Sequence, residues 1–305
     1  MYKIKSAKQK AFHIVLAAVM LLIVAITVYP VWFSLINSFE NASEIEKNGF
    51  ALIWTRRFTL ESWEAVLGNS KIITAFLVTL ARTVIVTVLQ TLITSMFSYG
   101  FSKSCLAGKG FYKAIGFLSM YLNGGVIAYF ILFNALHIYD SFWVYILPCL
   151  FGGFYNVIIY TANFKAIPEA LFESAKLDGA GEPTVFFRIV FPLSKPVIGA
   201  LALFTAVSMW NDYTGTLYFT KTSELQTISY YTLSLIKSSQ LASNLASTMS
   251  TSSTSSLVTT LSEAAAGYKT IELASMVLSA LPLIIIYPFA QKTFEKGMMV
   301  GSVKG

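Results

Sequence analysis

The stretch IPEALFESAKLDGAGEPTVFFRIVFPLSKP, residues 167–196, is a polar, proline-punctuated island between two long apolar segments. Pro168 can open a helix, because its missing N–H falls among the donors that have no intrahelical partner at that end. Glu169 to Leu177 then reads as helix. Leu171, Ala175 and Leu177 form a partly apolar face, and Glu169, Glu173 and Lys176 a wet one. Asp178-Gly179-Ala180-Gly181 closes it, since glycine takes the left-handed conformation that ends a helix. Pro183 opens a second short helix through Phe186, Phe187, Arg188, Ile189 and Val190, which Pro192 and Pro196 are expected to terminate. The stretch predicts a helix, a sharp glycine turn and a second helix.

The apolar flanks are typical of the whole chain. Of 305 residues, 55% are hydrophobic and only 12% charged, a composition that belongs to integral membrane proteins. Lys3, Lys5, Lys8 and Lys10 before a long apolar run imitate a signal peptide, but the run is too long and no small-residue cleavage site follows, so a retained first span is expected. Cys105 and Cys149 lack metal spacing and read as small apolar residues. His13 and His137 sit near membrane ends as interfacial residues, and no carboxylates cluster in a span, so neither a metal site nor an acid/base pair is expected.

Six spans are expected, near residues 12–36, 72–99, 111–136, 142–163, 197–219 and 273–289. Between the first two, residues 38–71 carry Trp54, Phe58 and Trp63, which suit an element lying along the membrane surface. Asn123-Gly124-Gly125 interrupts the third span, either for tight helix packing or as a bend lining a pathway. Residues 220–269 are dense in Ser and Thr; so polar a tract buries no core of its own and is expected to be partly flexible, with an amphipathic element over 225–236. With both termini on one side, the inner segments hold 14 basic and 5 acidic residues and the outer ones 7 basic and 9 acidic. The positive-inside rule then places the termini and the 167–196 loop in the cytoplasm. Basic residues spread over loops in this way suit a membrane, not nucleic acid, as partner.

Arg82 and Asp212 lie inside spans, each roughly 10–15 Å from the outer end at 1.5 Å per residue. Ionisable groups there are costly and face the bundle interior, so the two pair with each other or line a cavity and bind polar solute groups. Asn123, Tyr129, Trp210, Asn211 and Tyr213 complete a candidate substrate pathway. The aromatics, Tyr121 among them, suit either stacking on sugar rings or ordinary packing.

Glu173-Ser174-Ala175, three residues, Gly179, nine residues, Ile189, one residue and Phe191-Pro192 resembles the signature loop of the membrane subunits of binding-protein-dependent ABC importers. The usual Ala at the second position and Leu before the proline are Ser174 and Phe191 here. Gly124-Gly125-Val126-Ile127, Trp210-Asn211-Asp212 and the ending Val300-Gly301-Ser302-Val303-Lys304-Gly305 are similar to the branch that imports oligosaccharides or polysaccharide fragments, although Ala128 replaces a proline common after the glycines.

The resemblance implies an all-α integral membrane protein with six transmembrane helices and a cytoplasmic coupling helix, the type I ABC importer transmembrane fold. It would divide into a basic N-terminus (1–11), a permease domain (12–293) with coupling loop 164–195 and outer loop 220–270, and a cytoplasmic tail (294–305). Glu173, Ser174, Ala175, Leu177, Asp178, Gly179, Ala180, Ile189 and Pro192 would be the ATPase-coupling residues, with Glu173 meeting an ATPase cation or Arg188. Implied partners are a second homologous permease in a heterodimer, two cytoplasmic ATPases, an extracellular solute-binding protein, the lipid of a bacterial inner membrane and a carbohydrate. The sequence has no G-x-x-x-x-G-K-[ST] phosphate loop, so ATP and Mg are expected on the partner ATPases, and this chain is expected to be a transport subunit and no enzyme. The rival expectation is a stand-alone channel or ion-coupled secondary carrier.

Overall fold

The computed structural model describes the backbone of residues 7–122, 124–249 and 255–302. Asn123, residues 250–254 and the final Val303-Lys304-Gly305 lie outside the described residues, as do the side chains of 7–9, 246–264 and 289–302. The order is α1 (Ala7–Ser38), α2 (Ala42–Asn48), α3 (Glu61–Leu67), α4 (Ser70–Ser102), α5 (Lys109–Tyr121), α6 (Gly125–Ala135), α7 (Trp143–Ile146) and α8 (Gly153–Lys165). Then come α9 (Glu169–Leu177), α10 (Glu182–Val185), α11 (Phe191–Leu193), α12 (Lys195–Asn211), α13 (Thr214–Phe219), α14 (Ile228–Met249) and α15 (Ser255–Ser302). Among the described residues there is no strand, only a lone bridge between Glu40 and Phe58.

Lys10–Ser38, Ser70–Ser102 and Ala265–Pro288 are each long and apolar enough to cross a bilayer. Three helix pairs meet the same test as broken spans: α5 with α6, α7 with α8, and residues 182–193 with α12, bent by 113°, 49° and 82°. Counting each pair once gives up to six spans. Gly125 opens α6 at φ 71°, a conformation that favours glycine, so the interruption expected in the third span is a bend.

The chain divides into two compact units. The first comprises residues 1–70 and 232–280. Here the 38–70 segment is held to the end of α1 by two buried side chains. The Asn37 amide accepts from the Ala51 N–H at 2.8 Å and donates to the Ala51 carbonyl at 2.9 Å, and the Glu40 carboxylate accepts from the N–H groups of Arg56 and Arg57 at 2.7 and 2.8 Å. Trp63 donates to Ser38 at 3.2 Å, whereas Trp54 and Phe58 remain exposed. The Ser/Thr-rich tract is helical over α14 and the start of α15, a longer element than the 225–236 stretch its pattern suggested.

The second unit comprises residues 71–231 and 281–305. Its α4 carries Thr79, Thr83, Thr87, Gln90, Thr94 and Ser98 at spacings of three and four, which puts them on one face. Thr79 accepts from the Ile228 N–H at 2.8 Å and Thr94 from the Gly152 N–H at 2.9 Å. The α6–α7 turn is stapled to the link after α13 by Asp140, which accepts from the N–H groups of Lys221 and Thr222 at 2.7 and 2.9 Å.

One expectation gives way here. The fifth span does not run through to residue 219. The Asp212 carboxylate accepts from the Thr214 N–H at 3.0 Å, and this local turn competes with the helix, so α12 stops at Asn211 and α13 starts afresh. The second loop helix ends as expected, at Leu193 between Pro192 and Pro196, with an 82° break before α12. A π-helical turn at Phe186–Val190, closed by the Phe191 N–H on the Phe186 carbonyl, precedes Pro192.

In α5, a Cβ on Gly116 would lie 2.2 Å from the ring of Phe154 on α8. Gly116→Ala should destabilise the fold by about 1–3 kcal/mol through overpacking, read as a lower melting temperature of the detergent-purified chain. Adding Phe154→Leu should restore part of the loss; no recovery would refute the close approach.

Candidate functional site

The 167–196 loop forms as its glycines and prolines dictate. Helix α9 ends in a Schellman motif: the Ala180 N–H reaches the Ala175 carbonyl at 2.9 Å, the Gly179 N–H reaches that of Lys176 at 3.0 Å, and Gly179 sits at φ 74°. The loop does not dangle. Ala175, Val185, Phe186 and Val190 join Tyr99, Tyr160, Phe164, Ile198 and Leu201 in one buried apolar cluster, with Ile189 and Ala180 packed at its edge. The face turned outward is Glu173, Ser174, Leu177 and Asp178, and Pro192 is also exposed. Leu177 is 89% exposed, while Phe172 packs on the cluster. Glu173 makes no ion pair with Arg188 among the described residues.

A polar clamp joins the loop to the end of α4. The Tyr99 hydroxyl donates to Glu182, Lys103 pairs with the same carboxylate at 3.3 Å, and the Lys103 ammonium lies 4.5 Å from the Tyr99 ring centre and 4.6 Å from that of Phe172. One cation thus touches α4, α9 and α10. The hydrogen bond from Tyr99, with Lys103 beside it, holds the Glu182 carboxyl below the usual carboxylate range against the opposing effect of burial. In the sequence Lys103 is one of the 14 basic residues of the inner segments, and no local pattern marks Tyr99 or Glu182. Their signal is a contact across some eighty residues, invisible without the fold.

Toward the other end of α4, Arg82 and Asp212 are brought together. Arg82 is 1% exposed, pairs with the Asp212 carboxylate, donates to the Asp212 carbonyl at 3.4 Å and lies 4.8 Å from the centre of the Tyr145 ring. Tyr145, which no sequence pattern marked, donates to the Leu225 carbonyl at 2.6 Å and shares a hydrogen bond with Thr216 at 2.8 Å. Gly215 leaves room for this: a Cβ there would lie 3.3 Å from both Asp212 Oδ2 and the Tyr145 ring. Of the candidate pathway residues, Tyr129 shares with Arg82 and Asp212 a cavity of about 140 Å³. Trp210 is instead buried edge-on against Phe76, Asn211 donates to the Val207 carbonyl at 3.0 Å, Tyr213 is 41% exposed, and Asn123 lies outside the described residues.

A family model for the inner membrane component of binding-protein-dependent transport systems matches residues 50–300. The protein LplC of Bacillus subtilis (strain 168) is 33% identical over 92% of this chain and 90% of its own. The polygalacturonan/rhamnogalacturonan transport system permease protein YtcP of the same organism is 32% identical over 98% of this chain and 100% of its own. In fold, the chain matches one from a crystal structure of a bacterial ABC transporter involved in the import of the acidic polysaccharide alginate, with TM-score 0.82 and 23% identity over 96% of this chain and 100% of that one.

Two outcomes follow from the geometry. Because Glu182 titrates below its ordinary value, the clamp's contribution is complete above the ordinary glutamate range and is lost as pH falls through the lowered value. Amide protection over residues 169–185, taken as the exchange rate relative to that of the unfolded peptide at the same pH, should therefore fall on acidification in the wild type, while in Glu182→Gln it should be low and flat with pH. At the other end, Asp212→Leu should cost about 3–5 kcal/mol, since it leaves the buried Arg82 charge unpaired; Arg82→Leu leaves a carboxylate 26% exposed and should cost less, and the double variant should cost less than Asp212→Leu alone. Additive losses in a thermal double-mutant cycle would contradict the pairing.

Proposed function

Because the chain belongs to the family of inner membrane components of binding-protein-dependent transport systems, we propose that it is the permease subunit of an ATP-driven importer whose cargo is a carbohydrate. The observation that carries this is the loop: a rigid helix–turn–helix seated on the apolar cluster, clamped to α4, and presenting Glu173 and Leu177 outward. A helix braced in this way transmits a push, whereas a mobile loop would absorb it. Two cytoplasmic ATPases, which hold the ATP and Mg, bind this face. Leu177 enters a groove on the ATPase, Glu173 meets an ATPase cation, and Gly179 fixes the angle between α9 and α10.

A second, homologous permease completes a heterodimer, and an extracellular solute-binding protein delivers the cargo. Both termini face the cytoplasm, in line with the excess of Lys and Arg in the inner segments. ATP binding closes the ATPases, and the coupling helices carry that closure into a rigid-body switch between inward- and outward-facing states. The name of the polygalacturonan/rhamnogalacturonan permease supports a saccharide cargo.

A cysteine in place of Leu177 should cross-link to a cysteine in the ATPase groove, in a nucleotide-dependent yield. Gly179→Val meets open space but forces a β-branched residue to positive φ, which costs about 1–2 kcal/mol locally. It should lower uptake per ATP hydrolysed in vesicles while leaving assembly intact. Uptake that survives ATP depletion and collapses with the ion gradient would overturn the reading in favour of a secondary carrier.

A further inference from the structure

In the first unit, the segment after α1 folds back onto the last turns of that helix. Trp32 donates its indole N–H to the Ile53 carbonyl at 3.0 Å, and its ring centre lies 6.0 Å from that of Trp54. Residues 53 and 54 are therefore fixed at the level of Trp32, and that level can be counted along α1. Phe12 stands just inside the basic start of the helix, and Trp32 comes about twenty residues later. At 1.5 Å per residue this is about 30 Å, the thickness of a hydrocarbon core. Trp32 and Trp54 thus lie at the membrane boundary away from Lys10, where indoles are favoured.

The surface around them is apolar and basic together. Leu52, Ile53, Trp54 and Phe58 are 64%, 79%, 69% and 64% exposed, and residues 50–60 hold two arginines and no acid. The backbone is pinned, because Glu40 accepts from the N–H groups of Arg56 and Arg57. The Arg56 guanidinium is spent on the Gly49 and Phe50 carbonyls at 2.8 and 3.4 Å. Two polar groups are left over: among the described residues, neither the Trp54 indole N–H nor the exposed Arg57 guanidinium has a hydrogen-bond partner. The apolar window of α1 is 0% buried, so this surface is continuous with the hydrocarbon that covers that helix.

We propose that residues 52–58 bind an anionic phospholipid of the outer leaflet. Leu52 and Ile53 enter the acyl region, Trp54 donates to an ester carbonyl, and the planar fork of Arg57 takes the phosphate with two parallel hydrogen bonds. A phospholipid satisfies all three at once, since its chains, esters and phosphate are stacked in that order along the bilayer normal. The lipid ties the 38–70 segment to the membrane independently of α1. The choice of leaflet rests on the orientation proposed above, whereas the site does not.

The test uses the complete transporter in vesicles of known sidedness, with photoactivatable phosphatidylglycerol or phosphatidylcholine exchanged into one leaflet at a time. Peptide mass spectrometry then locates the adducts. Phosphatidylglycerol in the outer leaflet should label residues 50–60 about fivefold more than phosphatidylcholine, the worth of one basic side chain beside an anionic surface. Arg57→Gln, which keeps the backbone N–H for Glu40, should bring the two lipids level. Arg57→Lys, a point charge without the fork, should keep part of the preference. Equal labelling by both lipids in the wild type overturns the site. So does release of the label by millimolar inorganic phosphate, which marks a free-anion site, or cross-linking of residues 50–60 to a protein partner in place of lipid. Labelling with the same preference from the cytoplasmic leaflet alone upholds the site and overturns the orientation.

Discussion

A helix that crosses a membrane while carrying polar side chains must find them partners inside the protein, and α4 carries them along its whole length. Near one end, Arg82 is satisfied by Asp212 and the Tyr145 ring, and Thr79 by the backbone of Ile228. Near the other, Thr94 takes the N–H of Gly152, the carbonyl of Ser98 accepts from Thr161 at 3.5 Å, and Tyr99 reaches Glu182. Each partner comes from a different stretch of chain. The polar face of α4 therefore fixes the register of the turn before α8, of α8 itself, of the 167–196 loop and of the link into α14. Lipid cannot substitute for any of them.

That constraint explains why the loop is a firm object. Alone, α9 is too short to be stable, and the segment after it is interrupted by glycines and prolines. It holds because Ala175, Phe186 and Val190 are buried against residues of α4, α8 and α12, and because the Schellman turn satisfies the last carbonyls of α9. The surface left over, with an apolar knob at Leu177 beside the Glu173 carboxylate, suits a partner's groove better than water. Burying Leu177 alone would contribute about 1.5–3 kcal/mol to docking.

Much of this was legible in the sequence where backbone chemistry dominates. Proline and glycine placed the loop's first helix and its turn, length and hydropathy placed the spans, and glycines marked the bend before α6. The reading failed where a tertiary contact outweighs a local rule. Residues 197–219 looked like one span because hydropathy does not see that Asp212 turns its carboxylate onto Thr214 while holding Arg82. In α9 the apolar residues divide by partner: Ala175 meets the cluster and Leu177 is left outward. Tyr145 and Glu182 carry no local signature; only distant partners give them roles.

The two ends of α4 are held with unequal strength, and that asymmetry says where the unit yields. The Arg82–Asp212 pair has an arginine at 2% side-chain exposure, and separating such a pair costs several kcal/mol. The Lys103–Glu182 pair has side chains 24% and 57% exposed, so solvent screens it and its separation costs little, about 1 kcal/mol or less. A push on the loop thus meets little polar resistance at the clamp and far more at the Arg82–Asp212 pair. On the proposed reading, α4 swings about the end that Arg82 holds, and the displacement grows with distance from Arg82 toward Tyr99.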